Sequence, residues 1–201
     1  PPGLSVAHIL PGRGPTSIPA EPVNLGGEFG RTDWMDNGLV RVLFRSDGRF
    51  DIMDHATGRH IVGAGRLEDS EDAGDSYDWS AGGHPVPQAA GRGEKMAERV
   101  LATDERFADI DDSNRQVYLT IEQQDDWTAT VRLHIAWALP LRFDDATQKR
   151  SEEMEWNTID HYITLRSGHA MVEVETWVNN ACEDHRLRLH VPTGVDAKKV
   201  H

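Results

Sequence analysis

The sequence predicts an all-β protein built as a β-sandwich, and three observations carry that prediction. Apolar and polar residues alternate with period two over long stretches, most clearly from Trp127 to Trp137. Turn chemistry recurs between such stretches, as in Ser46-Asp47-Gly48, Asp54-His55-Ala56-Thr57-Gly58 and Arg166-Ser167-Gly168-His169. No helical pattern of ten residues or more is present. Strands that are apolar on one face need a second sheet to cover that face, which is the logic of a sandwich.

In chain order, residues 1–30 are rich in proline and glycine with one apolar patch, Leu4 to Leu10, and read as an extended connector. Residues 31–201 read as the sandwich domain. Leu39 to Phe44 and Phe50 to Met53 form a hairpin across Ser46-Asp47-Gly48, and Arg59 to Gly65 follows as a third short strand. Arg99 to Thr103 and Gln116 to Glu122 are the next strands, the second with Val117, Leu119 and Ile121 on one face. In Trp127 to Trp137, Ala129, Val131, Leu133 and Ile135 face one way and Thr130, Arg132 and His134 the other; Pro140 ends the run. Asp144 to Glu155 reads as a loop or a short helical turn. Trp156 to Leu165 and Ala170 to Val178 form a second hairpin, and His185 to Val191 is the last strand, with Leu187 and Leu189 on one side and Arg186, Arg188 and His190 on the other. A chain whose last strand has an open edge is expected to pair with another chain, as a homo-oligomer.

The totals exclude several classes of function. A net charge of −13 argues against nucleic acid and against anionic membrane surfaces. No apolar run reaches the roughly 18 residues of a membrane span. The one cysteine, Cys182, leaves no disulfide framework, and no basic region followed by an apolar stretch marks a signal peptide. A cytoplasmic location is the expectation. The ten histidines show no metalloprotease spacing, and His185 and His190 fall on opposite faces of one strand, so no metal ligands are predicted.

The stretch from Glu68 to Ser80 carries most of the functional signal. It holds six carboxylates (Glu68, Asp69, Glu71, Asp72, Asp75, Asp78) with no lysine or arginine, and it ends near Tyr77 and Trp79. Its Asp, Ser and Gly content reads as a loop. Such a loop is solvated or faces a cation, a sugar or a basic partner. Its order is not that of an EF-hand, and adjacent acids on one loop rarely oppose each other as the paired carboxylates of a glycosidase do.

Three phrases resemble a known family. Glu68-Asp69-Ser70-Glu71-Asp72-Ala73-Gly74-Asp75-Ser76-Tyr77-Asp78-Trp79-Ser80 is similar to the segment E-D-x-x-D-x-G-D-x-Y-x-x-S of bacterial-type α-mannosidases of glycoside hydrolase family 38. Asp36-Asn37 to Val42, with Asp47-Gly48 and Asp54 to Gly58, is similar to a second phrase, with Asp36 where the family usually has Glu. Asp184-His185-Arg186-Leu187-Arg188-Leu189-His190-Val191-Pro192-Thr193-Gly194 is similar to a third, D-H-R-L-R-V-x-F-P-T-G. Order and spacing agree over roughly residues 33 to 194.

The resemblance implies the C-terminal β-sandwich of such an enzyme, of the galactose-mutarotase-like supersandwich type, whole or in part. It implies that zinc and the catalytic nucleophile lie in an N-terminal barrel absent from this chain. That barrel would be the partner, a carbohydrate the substrate, and the chain alone would be inactive, with no catalytic residue and no cofactor of its own. Tyr77 would reach the sugar site, with Asp75 and Asp72 in support. The alternatives are a stand-alone carbohydrate-binding module stacking sugars on Tyr77, Trp79 and Trp34, and, by fold analogy alone, an epimerase or mutarotase using His55 or His60.

Overall fold

The structure is a computed structural model and describes residues 8–9, 20–27, 32–74, 79–80 and 114–193. Its strands are β1 (His8–Ile9), β2 (Asn24–Gly26), β3 (Trp34–Asp36), β4 (Val40–Phe44), β5 (Phe50–Asp54), β6 (His60–Ala64), β7 (Arg66–Glu71), β8 (Arg115–Gln124), β9 (Thr128–Pro140), β10 (Phe143–Asp144), β11 (Lys149–Arg150), β12 (Met154–Arg166), β13 (Val172–Asn179) and β14 (His185–His190). They form two five-stranded sheets, β2-β3-β4-β5-β6 and β1-β13-β12-β9-β8, plus the two-stranded ribbons β14-β7 and β10-β11. Every pairing is antiparallel. No α-helix occurs among the described residues.

The two large sheets face each other across one core. Met35, Val42, Phe50 and Ile52 from one sheet pack with Val131, Leu133, Ile163, Leu165 and Val172 from the other. The period-two reading of β9 holds along its length: Ala129, Val131, Leu133, Ile135 and Trp137 are all buried while the residues between them are at least partly exposed up to Ala136. Trp127 is the exception, because it sits in the turn before β9 and is exposed. A second cluster, Leu67, Ile135, Trp137, Leu139, Ile159 and Cys182, continues the core beyond the β2–β6 sheet, and there the β7-β14 ribbon supplies the cover through Leu187 and Leu189.

Three features differ from the sequence reading. Inside the stretch read as a connector, β2 pairs with β3 and β1 pairs with β13, so described parts of residues 1–30 extend both sheets. Trp34 explains why a glycine ends β2: a Cβ on Gly26 would lie 2.3 Å from its ring. Residues 143–150 form a small hairpin rather than a helical turn, with Gln148 at a positive φ of 54°. Arg66 to Glu71 is a strand, so the acidic stretch begins as sheet and not as loop. The strand expected at Arg99 to Thr103 lies outside the described residues.

Asn37 ties the sheets together at one end. Its Nδ2 donates to the carbonyls of Arg166 at 2.7 Å and His169 at 2.8 Å, while its Oδ1 accepts from the amides of Leu39 and Val40. The β4-β5 turn depends on Gly48, whose φ is 84° and whose missing Cβ leaves room for Ile135.

Candidate functional site

The acidic stretch is organised by the β7-β14 ribbon. Glu68 stands opposite Arg188, Ser70 opposite Arg186, and Leu67 opposite Leu189. Alternation then sorts the side chains. Leu67, Asp69, His185, Leu187 and Leu189 share the core-facing side, and Glu68, Arg186, Arg188 and His190 share the other.

Two of the three carboxylates of β7 are buried, Glu68 at 8% and Asp69 at 6% exposure, so each needs compensating charge. Glu68 receives it from Arg188 Nη2 at 2.9 Å and Arg66 Nη2 at 3.9 Å, with His190 Nε2 2.7 Å away. Asp69 receives it from His185 Nδ1 at 2.6 Å and from Arg150 on the β10-β11 hairpin. The other ring nitrogen of His185 is 2.8 Å from Asn180 Oδ1, which itself accepts from the Cys182 amide. Both ring nitrogens thus face oxygens. Glu68 thus faces two arginines and a histidine, and Asp69 one arginine and a histidine, on opposite sides of the ribbon. Arg188, on the polar side of the last strand, is therefore an ion-pair partner of the acidic stretch.

Beyond β7 the chain leaves the sheet, and Asp72 clamps the point of departure. Its Oδ1 accepts from the amides of Gly74 at 2.9 Å and Ser80 at 3.0 Å. Its own amide donates to the Asp184 carbonyl, and the Ala73 amide donates to the Ser80 carbonyl. Trp79 Nε1 donates to the Glu71 carbonyl at 3.0 Å, and Arg186 lies 5.4 Å over the Trp79 ring. The loop is closed at its base by backbone and side chain together. Of the residues singled out from sequence, Asp72 is this clamp; Asp75 and Tyr77 lie outside the described residues.

The second sequence phrase is a set of turn and packing devices. Asp36 accepts from the Gly38 amide, from Arg41 Nε at 2.6 Å and from His55 Nε2 at 3.0 Å. Burial alone would raise its pKa, but these hydrogen bonds outweigh burial and hold it below the ordinary carboxylate value. Asp54 Oδ1 accepts from the amides of Ala56 and Thr57, and Gly58 takes a φ of 68°. Trp34, a sugar platform in the module reading, has Arg41 4.9 Å over its ring, so one face of each candidate platform, Trp34 and Trp79, is taken by a guanidinium.

Glu68, Asp69, Arg150, His185 and His190 were missed as a unit. The available signal was the run of cations on β14, where Arg186, Arg188 and His190 alternate with leucines. Among the described residues, no group of three or more His, Cys, Asp or Glu comes together as a metal would need. No helix among the described residues is long and apolar enough to cross a membrane.

No protein-family profile and no curated protein matches the chain in sequence. Among solved structures, the chain is similar to an alpha-mannosidase from Enterococcus faecalis V583 and to a protein in the glycosyl hydrolase family 38 from Enterococcus faecalis. In both cases the TM-score is 0.63 at 20% identity over 83% of this chain. The chain spans only 18% of the first protein and 19% of the second. It therefore has the all-β fold of a segment that makes up less than a fifth of those longer proteins.

Proposed function

We propose that the chain is the β-sandwich accessory part of a longer glycoside hydrolase of the family 38 α-mannosidase type. One observation carries the reading. The fold match extends over 83% of this chain and under a fifth of an alpha-mannosidase, and it agrees with three sequence phrases that resemble the same family. In this reading the acidic loop completes the rim of a sugar site on a catalytic barrel beyond this chain, and Tyr77 is the residue offered to the sugar. A tyrosine suits that role, since it presents a ring face and a hydroxyl together. Asp75 supports it, and Asp72 acts indirectly, by clamping the loop base from which Tyr77 extends. The described residues do not fit a zinc centre, because Asp69, Glu68, His185 and His190 are committed to one another in pairs. Zinc enters the proposal only through the barrel.

The first test is the mass of the natural gene product, by blotting with an antibody to this chain. A band far above 22.5 kDa is expected. In that longer protein Tyr77→Phe should lower kcat/KM for an α-mannoside by about tenfold or more, the loss of one well-placed hydrogen bond to a sugar. A band at 22.5 kDa, or a variant with unchanged kinetics, overturns the assignment.

A further inference from the structure

We propose that the outer face of the β1-β13-β12-β9-β8 sheet is a second binding surface, built for a neutral oligosaccharide. Register places Tyr118 beside His134, His134 beside Asp160, and Asp160 beside Trp177. One row of side chains thus crosses four adjacent strands. At about 4.8 Å between strands, the row is on the order of 14 Å long. Its two ends are exposed aromatics, Tyr118 at 55% and Trp177 at 43%.

The middle of the row is polar and already ordered. His134 Nδ1 lies 2.7 Å from Asp160 Oδ1, and Arg132 Nε donates to the same oxygen at 2.7 Å. The Tyr118 ring lies 6.1 Å from the His134 ring, tilted by 34°. Nothing in the core requires these groups, since they stand on the face opposite the buried Leu133, Ile135, Ile159 and His161. The β7-β14 ribbon packs on that buried face, through Ile135, Trp137 and Ile159. The row and the β7-β14 ribbon are therefore on opposite sides of the sheet, and the proposal stands apart from the reading of the acidic stretch as a catalytic rim.

The pattern selects among ligand classes. A protein interface has a dry apolar centre and a polar rim; here the charges are central and the rings peripheral. A polyanion would meet a chain of net charge −13 and a face carrying Glu122, Glu173 and Glu175. Arg132 is already neutralised by Asp160 and lies 3.6 Å from Glu122. A neutral polyol fits. Its C–H face lies against an electron-rich ring, and its hydroxyls find a carboxylate that accepts, a guanidinium that donates and an imidazole that does either. The ion pairs hold these groups before binding, so little ordering entropy is lost.

The test titrates the chain with mannopentaose and cellopentaose as neutral probes and heparin as an anionic one, by calorimetry and tryptophan fluorescence. Saturable binding of at least one neutral probe is expected, with the same affinity in low and high salt. The double variant Tyr118→Ala/Trp177→Ala should weaken that binding by about tenfold or more, while Trp79→Ala leaves it unchanged. If the double variant melts early, amide shifts of the unmodified chain decide, and sugar-induced shifts centred on β9 and β12 support the proposal. Flat titrations with both neutral probes overturn it, as do shifts confined to the loop at residues 72–80, loss of binding in Trp79→Ala, or salt-sensitive binding of heparin alone.

Discussion

His185 Nδ1 lies 2.6 Å from Asp69 Oδ1, and the two side chains are 3% and 2% exposed although they are 116 residues apart in sequence. A buried carboxylate at this depth is tolerable only with its partners in place. The pair, with Arg150, fixes the β7-β14 ribbon against the second core cluster and so sets where the acidic loop leaves the sheet.

Removing one partner strands the others. Asp69→Ala leaves Arg150 and His185 buried without their counter-charge, and should cost about 3–5 kcal/mol of stability. Urea denaturation of the two proteins gives the difference directly. A loss below about 1 kcal/mol would mean that water reaches the pair, as at a surface salt bridge.

Asn37→Ala withdraws four hydrogen bonds at once, from the carbonyls of Arg166 and His169 and the amides of Leu39 and Val40. Buried backbone groups left unpaired cost about 1–3 kcal/mol each, with partial relief by water, so a total near 3 kcal/mol is expected. Hydrogen exchange offers a local check: the amides of Leu39 and Val40 should lose protection before those of β9 and β12 do.

His161 predicts an acid-sensitive step. It is fully buried, bonded to Thr176 Oγ1 at 2.9 Å, and burial pushes its pKa from 6.5 down to about 4. Between those values the unfolded chain binds a proton that the folded chain does not. The stabilising contribution is therefore complete above pH 6.5 and is lost as pH falls towards about 4. Its full size is on the order of 3 kcal/mol at 1.36 kcal/mol per pH unit. His161→Gln should flatten this part of the stability profile, and parallel profiles for the two proteins would contradict the assignment.

The two faces of one sheet should respond oppositely to truncation. Leu133→Ala opens a cavity where the side chain is 1% exposed, and should cost about 2–5 kcal/mol. Trp177→Ala, on the outer face at 43% exposure, removes a larger side chain yet should stay within about 0.5–1 kcal/mol. Thermal melts rank them, and a Trp177 variant as unstable as the Leu133 variant would show that the outer ring is structural.

Sequence reading succeeded where a strand carries its own evidence. In β9 and β12 the alternation is long and the buried residues are large and apolar, so burial follows from local pattern alone. It failed at Arg66 to Glu71. There Glu68 and Asp69 look like solvated acids, and the cations that neutralise them lie on β14 and on the β10-β11 hairpin, invisible to any local window. It also passed over β2 and β3, which are three residues each and too short for periodicity to register. Of the candidate site, the clustering of acids and the outward side of Arg186 and Arg188 were legible; the division of labour between Glu68 and Asp69 was not, because it depends on which side of a ribbon each occupies.

The ribbon has a consequence for the birth of the protein on the ribosome. β7 ends at residue 71 and β14 begins at residue 185, so their pairing must wait until everything between them has been synthesised. Until then Glu68 and Asp69 have neither Arg188 nor His185 to meet them, and a hydrated carboxylate resists being drawn into an apolar interior. The second core cluster therefore stays open on the nascent chain while the β9-β12-β13 meander can already close. Closure of this seam is thus conditional on the strand that carries the partners of the two acids.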